Sequence, residues 1–419
     1  MHHFTYQNNR LAAEDVSLAD LAQAVGTPTY VYAEATLTRH MRAFQEAFAD
    51  LNTLICFAVK SNTSRAVINV FAALGGGADI VSGGELVRAL AAGVPPERVV
   101  YSGVGKTVAE MELALQAGIL MFNLESSQEL GVLNEVAGNL GLVAPVSFRV
   151  NPDVDAQTHP KITTGLAKNK FGLPMDEAKA QYLAAAALPH VQVVGVSCHI
   201  GSQLTQVGPF ADALERVAVL VEDLGREGLK LQHLDLGGGL GITYNQEEPP
   251  SPAEYAAALR ETVQRLGLRL ILEPGRALVG NAGILLTRVL YTKKTPVKNF
   301  VVVDAAMNDL VRPAFYDSFH AIRPVEEFVS GEPLLVDVVG PICETGDFLA
   351  RDRELAAVRR GDLLAVMSAG AYGFSMSSTY NSRPRAAEVM VSGDRWAVVR
   401  ERETLEDLMR GEKLPAWRE

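Results

Sequence analysis

The stretch Leu54-Ile55-Cys56-Phe57-Ala58-Val59-Lys60-Ser61-Asn62 is apolar up to a lysine and turns polar immediately after it. A short apolar run closed by a polar turn is the pattern of a strand buried on both faces. Seven further runs of this kind follow, at 78–81, 98–101, 119–122, 145–150, 192–199, 232–236 and 268–272. Most are separated by amphipathic segments rich in Ala and Leu, such as Gly84 to Ala92 and Thr107 to Ala117. Strands alternating with helices imply parallel pairing and right-handed crossovers. Eight such units match an α/β fold of the closed (β/α)8, TIM-like barrel type, whose usual size is roughly 250 residues. An open doubly wound sheet is the competing arrangement, but it has no need of eight strands.

On either side of the repeat the texture differs. Towards the N-terminus, a short strand-forming lead-in precedes a helix from Ser17 to Val25, with Ser17 as N-cap and Asp20 at the third helical position. Gly26 and Pro28 end that helix, Thr29 to Tyr32 reads as a strand, and Ala35 to Ala49 as a helix. Past Arg276, Val and Thr alternate with polar residues between Gly and Pro punctuation, which predicts strands at 283–291, 299–304, 334–339, 362–367, 386–392 and 395–400. The expected division is a barrel over 26–278 and a β-rich, all-β domain formed by 279–419 with the lead-in 1–25. Thr404 to Arg410 reads as a short terminal helix.

Bulk properties narrow the function. The chain has 419 residues and is 48% hydrophobic, enough for a large core. It contains no apolar run long enough to span a bilayer, and Met1-His2-His3-Phe4 does not begin a secretory signal. Cys56, Cys198 and Cys343 are odd in number and far apart, which suggests reduced thiols in a cytoplasmic protein. No His, Cys or carboxylate cluster has metal-ligand spacing, so no metal is expected. A net charge of −11 argues against nucleic acid and anionic membranes as partners.

Chemistry gathers at the ends of the predicted strands, where this fold carries active sites. A lysine such as Lys60, held in an apolar site, loses charge stabilisation and becomes a nucleophile suited to Schiff-base formation; a lysine snorkelling to solvent is the alternative. Asp79 lies within the second strand, His199 closes the sixth, Gly237-Gly238-Gly239 closes the seventh, and Glu273-Pro274-Gly275-Arg276 closes the eighth. The glycine turns let backbone N–H groups approach an anion, although a plain turn fits equally well. Glu273 can hold a pyridine nitrogen protonated or pair with Arg276. His199 can stack on a ring or serve as a hydrogen-bonded core histidine. The β-rich part adds three clusters, around Arg312 and Tyr316, around Cys343 and Glu344, and around Tyr372. Cys343 is either a proton donor at a loop tip or an ordinary buried cysteine.

From Thr29 to the end, the chain resembles the fold type III pyridoxal-phosphate decarboxylases, whose barrel and β domain are alanine racemase-like. The strings that carry the resemblance occur in order: Phe57-Ala58-Val59-Lys60-Ser61-Asn62, Cys198-His199-Ile200-Gly201-Ser202-Gln203, Asp235-Leu236-Gly237-Gly238-Gly239, Glu273-Pro274-Gly275-Arg276, Arg312-Pro313-Ala314-Phe315-Tyr316 and Cys343-Glu344-Thr345-Gly346-Asp347. Thr345 stands where serine is more usual, and it keeps the hydroxyl.

The resemblance implies pyridoxal 5'-phosphate as cofactor. Lys60 is its Schiff-base partner, Asp79 is also at the cofactor, His199 lies on the ring and Glu273 pairs with the ring nitrogen. Ser202, Gly239, Gly275 and Arg276 hold the phosphate, and Tyr372 also reaches the cofactor. Cys343 protonates the carbanion after carbon dioxide leaves. The resemblance further implies a homodimer with shared active sites, Cys343 and Glu344 coming from the partner subunit. Relatives act on ornithine, arginine, carboxynorspermidine or diaminopimelate. Arginine's planar fork suits a distal carboxylate, so Arg276 and Arg312, with Glu344 for the distal amine and Tyr316 and Tyr372 as hydrogen-bonding groups, favour meso-2,6-diaminopimelate, which would yield L-lysine. The competing expectations are a decarboxylase of another diamino acid, a racemase-like protein, and a silent relative that regulates a partner enzyme.

Overall fold

A computed structural model describes residues 2–154, 170–327 and 332–418. The chain divides into two compact units, Leu37–Val279 and Met1–Thr36 with Gly280–Glu419.

In the first unit, eight parallel strands follow one another around a closed cylinder: β1 Thr53–Ala58, β2 Gly77–Ile80, β3 Val99–Tyr101, β4 Met121–Leu124, β5 Ala144–Asn151, β6 Val191–Cys198, β7 His233–Asp235 and β8 Arg269–Leu272. Pairing of Leu270, Ile271 and Leu272 with Thr53, Leu54 and Ile55 closes the barrel. The two-residue strand Leu173–Pro174 adds a parallel pairing beside the end of β5. Intervening helices start where local chemistry dictates. Ser82 caps Gly83–Ala91, and Thr107 with Glu110 and Ser251 with Glu254 form reciprocal capping boxes on Val108–Ala117 and Pro252–Leu266. Each cap contributes about 1 kcal/mol by satisfying N–H groups that have no partner within the helix.

The barrel interior is built in layers. Leu54, Cys56, Val100, Met121, Val194 and Ile271 form an apolar plug. Side chains on a strand alternate with period two, so the residues two positions further on face the same interior. From Val100, Met121 and Ile271 that step leads to Ser102, Asn123 and Glu273, all buried. The layer above the plug is therefore polar. A register shift between Val193 and Gly195 re-phases β6, so that Ser197 joins this layer.

The second unit is a mixed sheet. Its main path runs Phe348–Leu355, Leu334–Val339, Asn299–Val303, Gly283–Lys294, Thr29–Ala33, Ala387–Ser392, Arg395–Arg400, and Leu363–Val366 also pairs with Gly283–Lys294 and with Ile322–Pro324. The lead-in forms a small antiparallel sheet of Phe4–Gln7, Arg10–Ala13 and Val16–Ser17. Leu11, Val31, Ile284, Leu286, Met367 and Val389 share one core there. Ser17 caps Leu18–Val25 by accepting from the Asp20 N–H, as its position suggests.

Two expectations need correction. The segment 26–36, assigned to the barrel by the sequence division, belongs to the β-rich unit: Thr29–Ala33 lies between Gly283–Lys294 and Ala387–Ser392. Tyr30, Val31 and Tyr32 are buried on both faces, the condition of a central strand in any sheet, so burial pattern alone could not assign it to one unit. The terminal helix expected at 404–410 reduces to a single 3-10 turn, Asp407–Met409. Leu405 and Met409 are exposed there, so no apolar face is buried to sustain a longer helix.

Candidate active site

The mouth of the barrel gathers the polar groups that the strands deliver. After β1 the chain makes a 3-10 turn, Val59–Ser61, fixed by a hydrogen bond from Ser61 Oγ to the Ala58 carbonyl at 2.7 Å. Lys60 projects from this turn, and its Nζ donates to Asp79 Oδ2 at 2.7 Å. The apolar setting expected for Lys60 is thus replaced by a fully buried carboxylate, while the lysine side chain remains about one-third exposed. The second oxygen, Asp79 Oδ1, accepts no hydrogen bond among the described residues.

His199 follows β6. The Gly238 N–H donates to its Nδ1 at 3.2 Å, which leaves the ring proton on Nε2. Burial, reinforced by Arg149 and Lys60, pushes its pKa well below the usual histidine value, so the ring is neutral. Gly237 has φ +66°, and a Cβ there would stand 2.6 Å from His199 Nδ1. Only glycine allows this turn to lie against the imidazole.

The same turn is joined to the loop after β6, through Leu204 N–H to the Gly239 carbonyl and Gly241 N–H to the Leu204 carbonyl, both at 2.9 Å. On that loop Ser202 Oγ accepts from Arg276 Nη2 at 3.1 Å, and Arg276 Nη1 donates to Tyr244 OH at 2.7 Å. A Cβ at Gly275 would approach Ser61 to 3.0 Å, so this turn packs directly on the one carrying Lys60. Ser202, Gly239, Gly275 and Arg276 are therefore drawn to one side of the barrel mouth.

Glu273, just beyond β8, is buried and lines the same small cavity as Asp235. Its Oε1 has no partner among the described residues. Burial first, then the charges of Asp235 and Asp79, raise its pKa well above the ordinary carboxylate value. A small cavity of about 30 Å³ lies among Lys60, Asn123, Arg149, His199, Asp235 and Glu273.

In the β-rich unit, Arg312 and Tyr316 lie on the short helix Arg312–Tyr316. Arg312 is buried; its Nη1 donates to His320 Nε2 at 3.1 Å and its Nη2 to Ser318 Oγ at 3.2 Å, and His320 Nδ1 donates to the Met367 carbonyl at 2.9 Å. His320 is thus neutral and presents a lone pair to the guanidinium. Cys343 is exposed, so the reading of it as an ordinary buried cysteine does not hold. Its N–H donates to Asn381 Oδ1 at 2.9 Å, and Glu344 accepts from Tyr380 OH at 2.9 Å. Asp347 anchors the loop by accepting from the Met307 and Ile342 N–H groups, each at 2.7 Å. Tyr372 is half-buried in left-handed backbone with φ +56°, a conformation uncommon outside glycine.

Comparison with known proteins shows the family. Residues 34–280 match the family described as "Pyridoxal-dependent decarboxylase, pyridoxal binding domain". The chain is 56% identical over 417 residues to "Diaminopimelate decarboxylase" of Pseudomonas aeruginosa, covering 99% of each. It is 55% identical over 410 residues to the Vibrio cholerae protein of the same name, covering 97% of this chain and 98% of that one. The crystal structure of diaminopimelate decarboxylase from M. jannaschii in co-complex with L-lysine superposes with a TM-score of 0.94 at 40% identity, covering 99% of both chains. The chain belongs to the diaminopimelate decarboxylase family.

A diaminopimelate decarboxylase works with pyridoxal phosphate, and the barrel mouth fits that group. Glu273 offers an unpartnered buried oxygen, as a ring N–H requires, and Gly239 and Gly275 form turns packed too closely to carry a Cβ without a shift. Several residues of this site escape sequence reading. Asn123, Ser147, Ser197, Arg149 and Tyr244 give no motif. Asp235 carries one signal, a carboxylate between Leu234 and Leu236 in an apolar run, where a charge has to be buried.

Proposed function

We infer that the protein decarboxylates meso-2,6-diaminopimelate to L-lysine and carbon dioxide with pyridoxal 5'-phosphate. The observation that carries this is the Lys60–Asp79 pair beside the unpartnered oxygen of Glu273, in a barrel of this family. When bound, pyridoxal phosphate supplies a conjugated electron sink for the pair released as the C–C bond to the carboxylate breaks.

The chain's own groups would act as follows. Lys60 is the covalent anchor, and Asp79 holds its amine in place. Glu273 keeps a proton at the ring nitrogen. The neutral His199 presents its flat face to the ring. Ser202, Arg276 and the N–H groups near Gly239 and Gly275 take the phosphate, with Tyr372 adding a contact. Arg312, pre-oriented by His320, and Arg276 grip substrate carboxylate, while Glu344 takes the distal amine and Tyr316 and Tyr372 complete the hydrogen bonding. The Cys343 thiol delivers a proton to the α-carbon.

Cys343 and Glu344 are expected to serve the partner subunit's site in a homodimer, and the exposure of Cys343 is consistent with that. No helix among the described residues is long and apolar enough to cross a membrane. With its reduced thiols, we place the protein in the cytoplasm. The test is carbon dioxide release from a panel of diamino acids with added pyridoxal phosphate. Diaminopimelate should be strongly preferred, and a better rate with ornithine or arginine would overturn the assignment.

A further inference from the structure

Two carboxyl groups from neighbouring strands meet inside the barrel mouth. Asp235 ends β7 and Glu273 follows the adjacent strand β8, and the two side chains line the same small cavity. Their surroundings are unequal. Asp235 Oδ1 accepts from the Gly237 N–H at 2.9 Å, and Oδ2 accepts from Asn123 Nδ2 at 2.9 Å. Glu273 Oε1 accepts nothing among the described residues. Asn123 is itself held in one orientation: its amide donates to Ser102 Oγ at 3.1 Å and its carbonyl accepts from Ser147, whose hydroxyl also lies 3.2 Å from that of Ser197. The polar layer therefore turns an N–H, not an oxygen, towards Asp235.

Two buried carboxyl groups in contact do not both ionise. Burial raises the pKa of both, and the charge of Asp79 adds to this in each case. Lys60 opposes the rise at Glu273 but is already paired with Asp79. Donors stabilise the ionised form, and they converge on Asp235.

We propose that Asp235 is a positioning residue, held ionised by Asn123 and the Gly237 N–H, and that it makes Glu273 the proton-bearing partner, ready to pass that proton to the pyridine nitrogen. The proton leaves Glu273 Oε1 for the ring nitrogen, and the carboxylate left behind pairs with the pyridinium. This rests on the reading that Glu273 faces the ring.

Infrared spectroscopy of the full-length apoprotein tests the shared proton without any cofactor. The wild type should show a protonated-carboxyl component at neutral pH that is missing from both D235N and E273Q in difference spectra. D235N removes the neighbouring charge that retains the proton, and E273Q removes the carboxyl that bears it, while the contribution of Glu85 is common to all three proteins and cancels. In the loaded protein, D235N should move the pH titration of the bound cofactor's visible band down by about one pH unit and weaken cofactor binding about tenfold. N123A, which spares both carboxyl groups, should move the same titration in the same direction by less, and it covers the case in which D235N fails to fold. No protonated-carboxyl component lost from the wild-type apoprotein in either D235N or E273Q, or wild-type titrations in both D235N and N123A, would overturn the proposal. Should the apoprotein band behave as expected while E273Q keeps a wild-type visible spectrum, the shared proton stands and the placement of Glu273 at the ring fails.

Discussion

Glu85 should make the barrel lose stability as pH rises. It lies in the first turn of Gly83–Ala91, and its Oε2 reaches back to accept from the Val81 N–H at 2.7 Å. Burial pushes its pKa up to about 7 from 4.5, against the pull of that hydrogen bond; Asp79 adds to the rise, and Lys60 and Arg88 oppose it. Below pH 4.5 the folded and unfolded chains both carry the proton. Between 4.5 and 7 only the folded chain holds it, so stability falls with rising pH across that window and levels off above it. At about 1.4 kcal/mol per pH unit, the loss is about 3 kcal/mol by pH 8. Glutamine can still accept from the Val81 N–H but cannot ionise. Urea denaturation of wild type and Glu85→Gln from pH 4 to pH 8 isolates the group, because every other titration is common to both proteins. The variant should match the wild type at pH 4 and exceed it by about 3 kcal/mol at pH 8. A difference that stays constant across the range would refute the reasoning.

Four further outcomes are expected. Lys60→Ala should abolish carbon dioxide release and the visible absorption of bound cofactor that borohydride treatment would otherwise trap on this residue; an unchanged spectrum would remove Lys60 as anchor. Arg312→Ala should raise the KM for diaminopimelate about thirtyfold, the equivalent of about 2 kcal/mol for a lost charge-assisted hydrogen bond, in steady-state assays. Cys343→Ala should lower kcat by about a hundredfold or more with little change in KM, as expected for a lost proton donor. Gly238→Ala would place a Cβ 2.2 Å from the Glu273 carbonyl oxygen. It should cost about 2–3 kcal/mol in denaturant titration and weaken cofactor binding, because relieving that overlap displaces the turn that holds His199.

The barrel was legible because its strands are buried on both faces and separated by helices, a pattern that survives in one dimension. The β-rich unit was less so. Phe348–Leu355 passed unnoticed because its second half, Arg351 to Glu354, is charged and largely solvent-facing, which hides the alternation. Thr29–Ala33 was recognised as a strand but assigned to the wrong unit. Its neighbours are Gly283–Lys294 and Ala387–Ser392, far away along the chain, and no local propensity encodes such pairings.

The site divides in the same way. Lys60, His199, Gly239, Glu273 and Arg276 stand at strand ends, where a polar residue after an apolar run is conspicuous. Asn123, Ser147 and Ser197 lie within strands, and each contributes one hydrogen bond or a few to a layer assembled from β4, β5 and β6. A single polar residue within a strand is commonplace, and its meaning here comes only from closure of the barrel, which brings it against Asp235. That closure also changes the meaning of Lys60. Read alone, an apolar strand suggests a desolvated amine, whereas the neighbouring strand β2 supplies Asp79 at 2.7 Å. Among the described residues, Lys60 is paired with Asp79 and Arg149 with Glu125, so the carboxyl groups of Asp235 and Glu273 lie together with no ion pair of their own. A proton retained between them meets that need, and it would be carried where the ring nitrogen of a bound cofactor can take it.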